Sequence, residues 1–238
     1  MTETTTKGSS LGVAVMGGVI GAVLTAAVLV FATPQFLSRS IVRQGMLADP
    51  QILVEASDAL RDRQTAPLIA SSRSALETPF ASSWKGAEKP EVVLVEFYDY
   101  ACPYCKASNP HVDRLLKEKP GLRVVYRELP ILGQDSVEAA RLSLAASKAG
   151  RFRQFHDALY AAGRPAPDTN AAAARVANIA PTPAQDPAIE AELKRNFEIA
   201  SRLGATGTPL FVVGDRVLNG AVGYDALKQA IEAASKKS

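Results

Sequence analysis

The chain has 238 residues, is 47% hydrophobic and 21% charged, and so has the balance of one globular domain with accessories, which excludes a disordered or fibrous protein. Its 27 Lys and Arg against 24 Asp and Glu leave a net charge of +3. That charge is thinly spread, with Lys236-Lys237 at the very end, and argues against nucleic acid as a partner. Only two cysteines occur, Cys102 and Cys105, so a structural disulfide framework is excluded and sulfur chemistry rests on this one pair.

From Gly8 to Ser38 no side chain is charged, and Leu11 to Ala32 is an almost unbroken apolar run of 22 residues, long enough to cross about 30 Å of hydrocarbon as a helix. Residues 11–33 are therefore expected to form a membrane anchor, with residues 1–10 on the cytoplasmic side. Val30-Phe31-Ala32 offers the small-residue pattern of a cleavable signal, but the run exceeds the roughly 7–15 residues of a signal core. Either reading exports the remainder. Lys7 before the span against Arg39 and Arg43 after it points weakly the other way, so export rests on the thiol chemistry below.

Residues 34–76 read as a helical extension. Ser40–Leu47 is a short helix, and Asp49-Pro50 supplies an N-cap and a first-turn proline for a second one running to about Arg63. Leu53, Ala56 and Leu60 make a narrow apolar stripe that fits either packing on the main domain or self-association into a homo-oligomer. Pro67, Ser71-Ser72, Ser82-Ser83 and Gly86 mark a softer boundary before the main domain, residues 77–238.

Val92–Tyr98 is β-rich and apolar almost throughout, as a strand buried on both faces should be. It runs into Cys102-Pro103-Tyr104-Cys105, after which Val112, Leu115 and Leu116 have helical spacing as far as Pro120-Gly121. Leu122–Glu128 is a second such strand, implying a parallel crossover. Four helices follow: one capped by Asp135 with Glu138 three residues on, Arg151–Ala162, Ala171–Ala177, and one beginning at Asp186-Pro187 with Ile189, Leu193, Phe197, Ile199 and Leu203 on its apolar side. A hairpin, Leu210–Val213 and Arg216–Leu218 about Gly214-Asp215, and a final helix from Tyr224 to about Ala234 complete the domain.

The cysteines open a helix, where unpaired backbone N–H groups and the helix dipole favour an ionised sulfur at Cys102. Cys105 lies one turn later on the same face and can attack a mixed disulfide formed by Cys102, so Cys102 is the nucleophile and Cys105 resolves. Pro103 suits the first helical turn and stiffens the loop between the sulfurs. Tyr104 adds no positive charge. Glu96, on a strand expected to be buried, is either a proton relay for Cys105 or an ordinary ion-pair partner. Structural zinc needs four ligands, and His111 and His156 stand too far apart to supply them, so no metal ligand is assigned. Two thiolates alone could hold copper(I), which leaves a copper-binding module as the alternative to an enzyme. Both histidines read as surface or satisfied structural residues, and Trp84 as packing.

Glu96–Lys106, then Leu129-Pro130-Ile131-Leu132-Gly133, then Gly207-Thr208-Pro209-Leu210-Phe211-Val212-Val213 resemble, in this order, the DsbA-like branch of bacterial thiol:disulfide oxidoreductases. The resemblance implies an α/β thioredoxin fold with an inserted helical domain at about residues 136–203. It also implies a redox-active Cys102–Cys105 disulfide in place of any cofactor, and Glu96 as proton relay. By the same resemblance Thr208-Pro209 is a cis pair whose backbone meets an extended substrate across from Cys102. Tyr104, where DsbA itself has histidine, implies a less oxidising disulfide. Ile41–Gln64 is similar to the helical extension of ScsC (suppressor of copper sensitivity) proteins, some of which assemble through it. The expected setting is a single-pass protein of the bacterial inner membrane with its catalytic domain in the periplasm. Its expected partners are unfolded or misoxidised exported proteins and a membrane electron-transfer protein.

Overall fold

The structure is a computed structural model describing residues 33–181 and 185–236. The expected anchor at Leu11–Ala32 lies outside these residues. Among the described residues no helix is long and apolar enough to cross a membrane. The chain divides into two compact units, Met1–Ala59 and Leu60–Ser238.

In the first unit, helix α1 spans Thr33–Ala48, beginning earlier than Ser40. Helix α2 (Gln51–Glu77) starts there, with Asp49 Oδ1 accepting the Gln51 N–H at 3.1 Å. Ile41, Val42, Leu47, Ile52, Leu53 and Val54 are exposed.

The second unit begins inside α2. The sequence places the end of this helix near Arg63 and a boundary at residue 77, whereas the helix continues through Pro67 to Glu77. A proline removes one intrahelical hydrogen bond. Against that loss, Ile69 and Leu76 are each 1% exposed in a core shared with Val95, Phe97 and Val125, and burying each such side chain is worth about 1.5–3 kcal/mol. Asp62 pairs with Arg216 at 3.0 Å and Arg73 with Asp215 at 2.7 Å, fastening the same stretch to the hairpin. Tertiary burial overrides the local breaker here, and the last part of the supposed extension belongs to the main domain.

Five strands form one sheet in the order β1-β3-β2-β4-β5: β1 (Trp84–Gly86), β2 (Val92–Tyr98), β3 (Leu122–Glu128), β4 (Leu210–Val213) and β5 (Arg216–Asn219). Strands β2 and β3 are parallel, with Glu96 opposite Tyr126 and Tyr98 opposite Glu128. The crossover between them is helix α3 (Pro103–Glu118). Strand β4 runs antiparallel to β2, and β5 to β4. Strand β1, not foreseen, pairs antiparallel with the outer edge of β3. Trp84 is half-buried there beneath the guanidinium groups of Arg123 and Arg153, 4.7 and 5.6 Å from its ring centre. Four helices, α4 (Gln134–Lys148), α5 (Phe152–Ala162), α6 (Pro167–Val176) and α7 (Pro187–Arg202), interrupt the sheet between β3 and β4, and α8 (Gly223–Ser235) closes the chain. This is a thioredoxin-like α/β fold with a helical insertion.

Three details differ from the sequence reading. Asp135 lies inside the first turn of α4, whose cap is Gly133 at φ 122°, a conformation glycine alone adopts readily. Helix α6 begins at Pro167 instead of Ala171, with Thr169 Oγ1 accepting the Ala166 N–H at 2.9 Å. On α7 Phe197 is 59% exposed. Ile189, Ile199 and Leu203 are buried as expected, but Glu192 and Asn196 are buried with them, because the polar pair answers a buried cation. Arg127 of β3 bonds Glu192 Oε1 at 2.9 Å, Asn196 Oδ1 at 2.8 Å and the carbonyls of Leu76 and Thr78 at 3.0 and 2.8 Å.

Candidate active site

Strand β2 ends at Tyr98, and a tight turn in which the Asp99 carbonyl accepts the Cys102 N–H at 3.0 Å delivers Cys102 to the N-cap of α3. Pro103 occupies the first helical position, where an N–H would have no intrahelical partner. Both cysteines are free thiols. Cys102 is 4% exposed and donates its thiol to the Thr208 carbonyl at 3.2 Å. The Thr208-Pro209 bond is cis. Cys105, one turn deeper, is fully buried, and burial first, then the Glu96 carboxylate, pushes its thiol well up from the ordinary range. Tyr104 is 64% exposed and points to solvent between them.

Glu96 lies beneath this pair, 1% exposed, with no hydrogen-bond partner for either carboxyl oxygen. Loss of hydration raises its pKa to about 8, against a smaller downward pull from Lys85 and a further push from Asp113. Lys85 pairs at 2.6 Å with Asp157, so the ordinary ion-pair role left open for Glu96 belongs to another acid. A carboxyl group poised near 8 beside a buried thiol can give up or take a proton where water has little access.

The sequence reading missed a second buried acid. Glu128, on the same face of the sheet, is 2% exposed, accepts the Tyr98 hydroxyl, and is likewise raised to about 8 by burial. The Tyr98 hydroxyl lies 3.1 Å from that of Tyr100, which in turn meets Ser143 Oγ at 2.9 Å and His156 Nδ1 at 3.2 Å. His156 is thus a satisfied structural residue, with burial pushing its pKa well down. The alternation Leu122, Val124, Tyr126, Glu128 carried the signal: the last member of a strand's inward row is itself inward. Among the described residues, no three His, Cys, Asp or Glu side chains converge as a metal site.

The family model for the DSBA-like thioredoxin domain matches residues 93–232. The chain belongs to the DsbA-like thioredoxin family. Among solved structures it is similar to Proteus mirabilis ScsC in a transitional conformation, at 30% identity and a TM-score of 0.67, covering 87% of this chain and 97% of that one. It is also similar to a thioredoxin-like oxidoreductase from Silicibacter pomeroyi, at 34% identity and a TM-score of 0.65, covering 70% of this chain and 99% of that one. A curated relative, Na(+)/H(+) antiporter NhaA 1 of Salinispora arenicola, is 31% identical in an alignment 174 positions long that covers 63% of this chain. The chain spans only 12% and 24% of the length of the curated antiporters it matches. The two antiporters therefore match this DsbA-like protein over only a small part of their own length.

Proposed function

We propose that this DsbA-like protein exchanges disulfides with exported proteins. The observation that carries the reading is the stacking of three groups: Cys102 at a helix mouth against the Thr208 carbonyl, Cys105 buried one turn deeper, and the unpartnered Glu96 below. In the oxidising direction a substrate thiolate attacks Cys102 Sγ and breaks the Cys102–Cys105 bond. Cys105 leaves with the electron pair and takes a proton from Glu96. A second substrate thiolate then attacks the substrate sulfur of the mixed disulfide and expels Cys102 as a thiolate, so the substrate loses two electrons and the protein gains them. Starting from the reduced pair, the same steps reshuffle wrong disulfides. The Cys102–Cys105 couple needs no cofactor, and in the oxidase role a membrane electron-transfer partner restores its disulfide.

The apolar run at Leu11–Ala32 supports a tether in the bacterial inner membrane with the thiols in the periplasm, where disulfides persist. The exposed Ile41, Val42, Leu47, Ile52 and Leu53 support self-association through the extension. Self-association would gather several active sites on one substrate and favour isomerisation. The test is Cys105→Ser in cells: without its resolving thiol the protein should accumulate as mixed disulfides with exported proteins, released by dithiothreitol. If none form and the reduced wild-type pair instead holds copper(I) against physiological thiol, the copper-binding reading, which the likeness to ScsC also supports, replaces the enzyme.

A further inference from the structure

Asp99 is 1% exposed, yet its carboxylate is fully engaged by the backbone. Oδ1 accepts the Ala101 N–H at 2.8 Å, and Oδ2 accepts those of Ile131 and Leu132 at 2.8 and 2.9 Å. Strands β2 and β3 part company just before this point: Leu129 N–H still reaches the Tyr98 carbonyl at 2.8 Å, and Pro130 then has no N–H to offer. The Asp99 side chain takes up the pairing where the ladder stops, so the turn leading into Cys102 and the loop after β3 are held within the span of one carboxyl group. Because β2 lies between β3 and β4, this loop flanks the cysteine turn on one side and Thr208 on the other. The loop presents Ile131 and Leu132, each 44% exposed, and between the cysteines Tyr104 is 64% exposed.

We propose that Asp99 is a positioning residue that locks Ile131 and Leu132 beside Cys102 as the second wall, facing the Thr208 side, against which a substrate polypeptide is held during exchange. The occupant is an extended segment carrying an apolar residue next to its reacting cysteine. The loop's apolar side chains remain exposed although its backbone is tied down, which is the arrangement of a gripping surface and not of a core. A small disulfide such as glutathione disulfide carries no apolar side chain to set against the wall. This inference rests on the exchange reading.

The test compares two probes in the full chain: glutathione disulfide reacting with the reduced pair, and reduced, unfolded ribonuclease A reacting with the oxidised pair. Serine at both Ile131 and Leu132 keeps the two backbone donors and hence the clamp. Asp99→Asn turns an NH₂ toward N–H donors on one side or the other and so breaks part of the clamp. Each variant should lose about tenfold more rate with ribonuclease than with glutathione disulfide, since a displacement near 1 Å at a reacting centre can cost up to about a hundredfold. For Asp99→Asn the excess should appear in the KM for ribonuclease and in the rate at saturation, with melting temperature and glutathione exchange tracking each other. Equal losses with both probes would make Asp99 a purely structural residue, and an unchanged ribonuclease rate in the double serine variant would remove the wall; either result overturns the inference. A wild-type pair inert to both probes would instead overturn the exchange reading itself.

Discussion

The two faces of the same strands bury charge-bearing groups in opposite ways. On one face Glu96 has no partner and Glu128 only hydroxyl groups around it, among Tyr98, Tyr100, Tyr126 and His156. On the other face Arg127 is buried just as deeply but is met by a carboxylate, an amide and main-chain carbonyls. A buried charge that is paired fixes architecture, because removing one member strands the other. A buried acid that is unpaired stays protonated until the pH nears its raised pKa, and is therefore a proton store. The first face lies under the cysteines, whereas the second joins α2 and α7 to the sheet.

The comparison can be broken most severely at Arg127. Arg127→Met should destabilise the protein by about 3–5 kcal/mol in denaturant melts, since the buried Glu192 loses its buried cation and keeps only the exposed Arg195, 3.5 Å away. Adding Glu192→Met should recover most of that loss. A double variant as unstable as the single one would mean that the lost carbonyl contacts, and not the stranded carboxylate, dominate.

Glu96→Gln comes next, with the opposite sign. The folded pKa of about 8 stands above the ordinary 4.5, so between those values the folded state binds the extra proton and stability falls as pH rises, levelling off above 8. Glutamine should flatten that slope and stabilise the protein at pH 9 by on the order of 2–4 kcal/mol, read from melts across pH. The same change should slow the release of Cys105 from its disulfide by about 100-fold, the low end of the usual worth of a positioned proton donor. A slope at the same midpoint that is not reduced at all would assign the whole of it to Glu128.

Glu128→Gln should give the smallest change. Its pKa is also about 8, so the pH slope again flattens, but its bond from Tyr98 survives in part and the gain should be about 1–2 kcal/mol. Release of Cys105 should stay within about twofold of wild type, since general acid catalysis requires direct reach to the reacting atom. A loss as large as that of Glu96→Gln would make both acids one relay.

Local patterns in the sequence determined the strands β2, β3, β4 and β5, the hairpin at Gly214-Asp215, the helix opened by Cys102-Pro103 and the burial of Glu96, because each follows from periodicity, turn chemistry or the arithmetic of two cysteines within a few residues. What the tertiary structure decided are the cases where a distant partner outweighs a local signal. Helix α2 runs through Pro67 because Ile69 and Leu76 find a core against β2 and β3. Glu192 and Asn196 turn inward while Phe197 stays out because Arg127 arrives from another element. Glu128 is buried by Tyr98 and the helices laid over the sheet, and Asp99 becomes a clamp because Ile131 and Leu132 come back to it across 32 and 33 positions of chain. No window of sequence contains both sides of such a contact, and burial free energy is set by what the two sides do together.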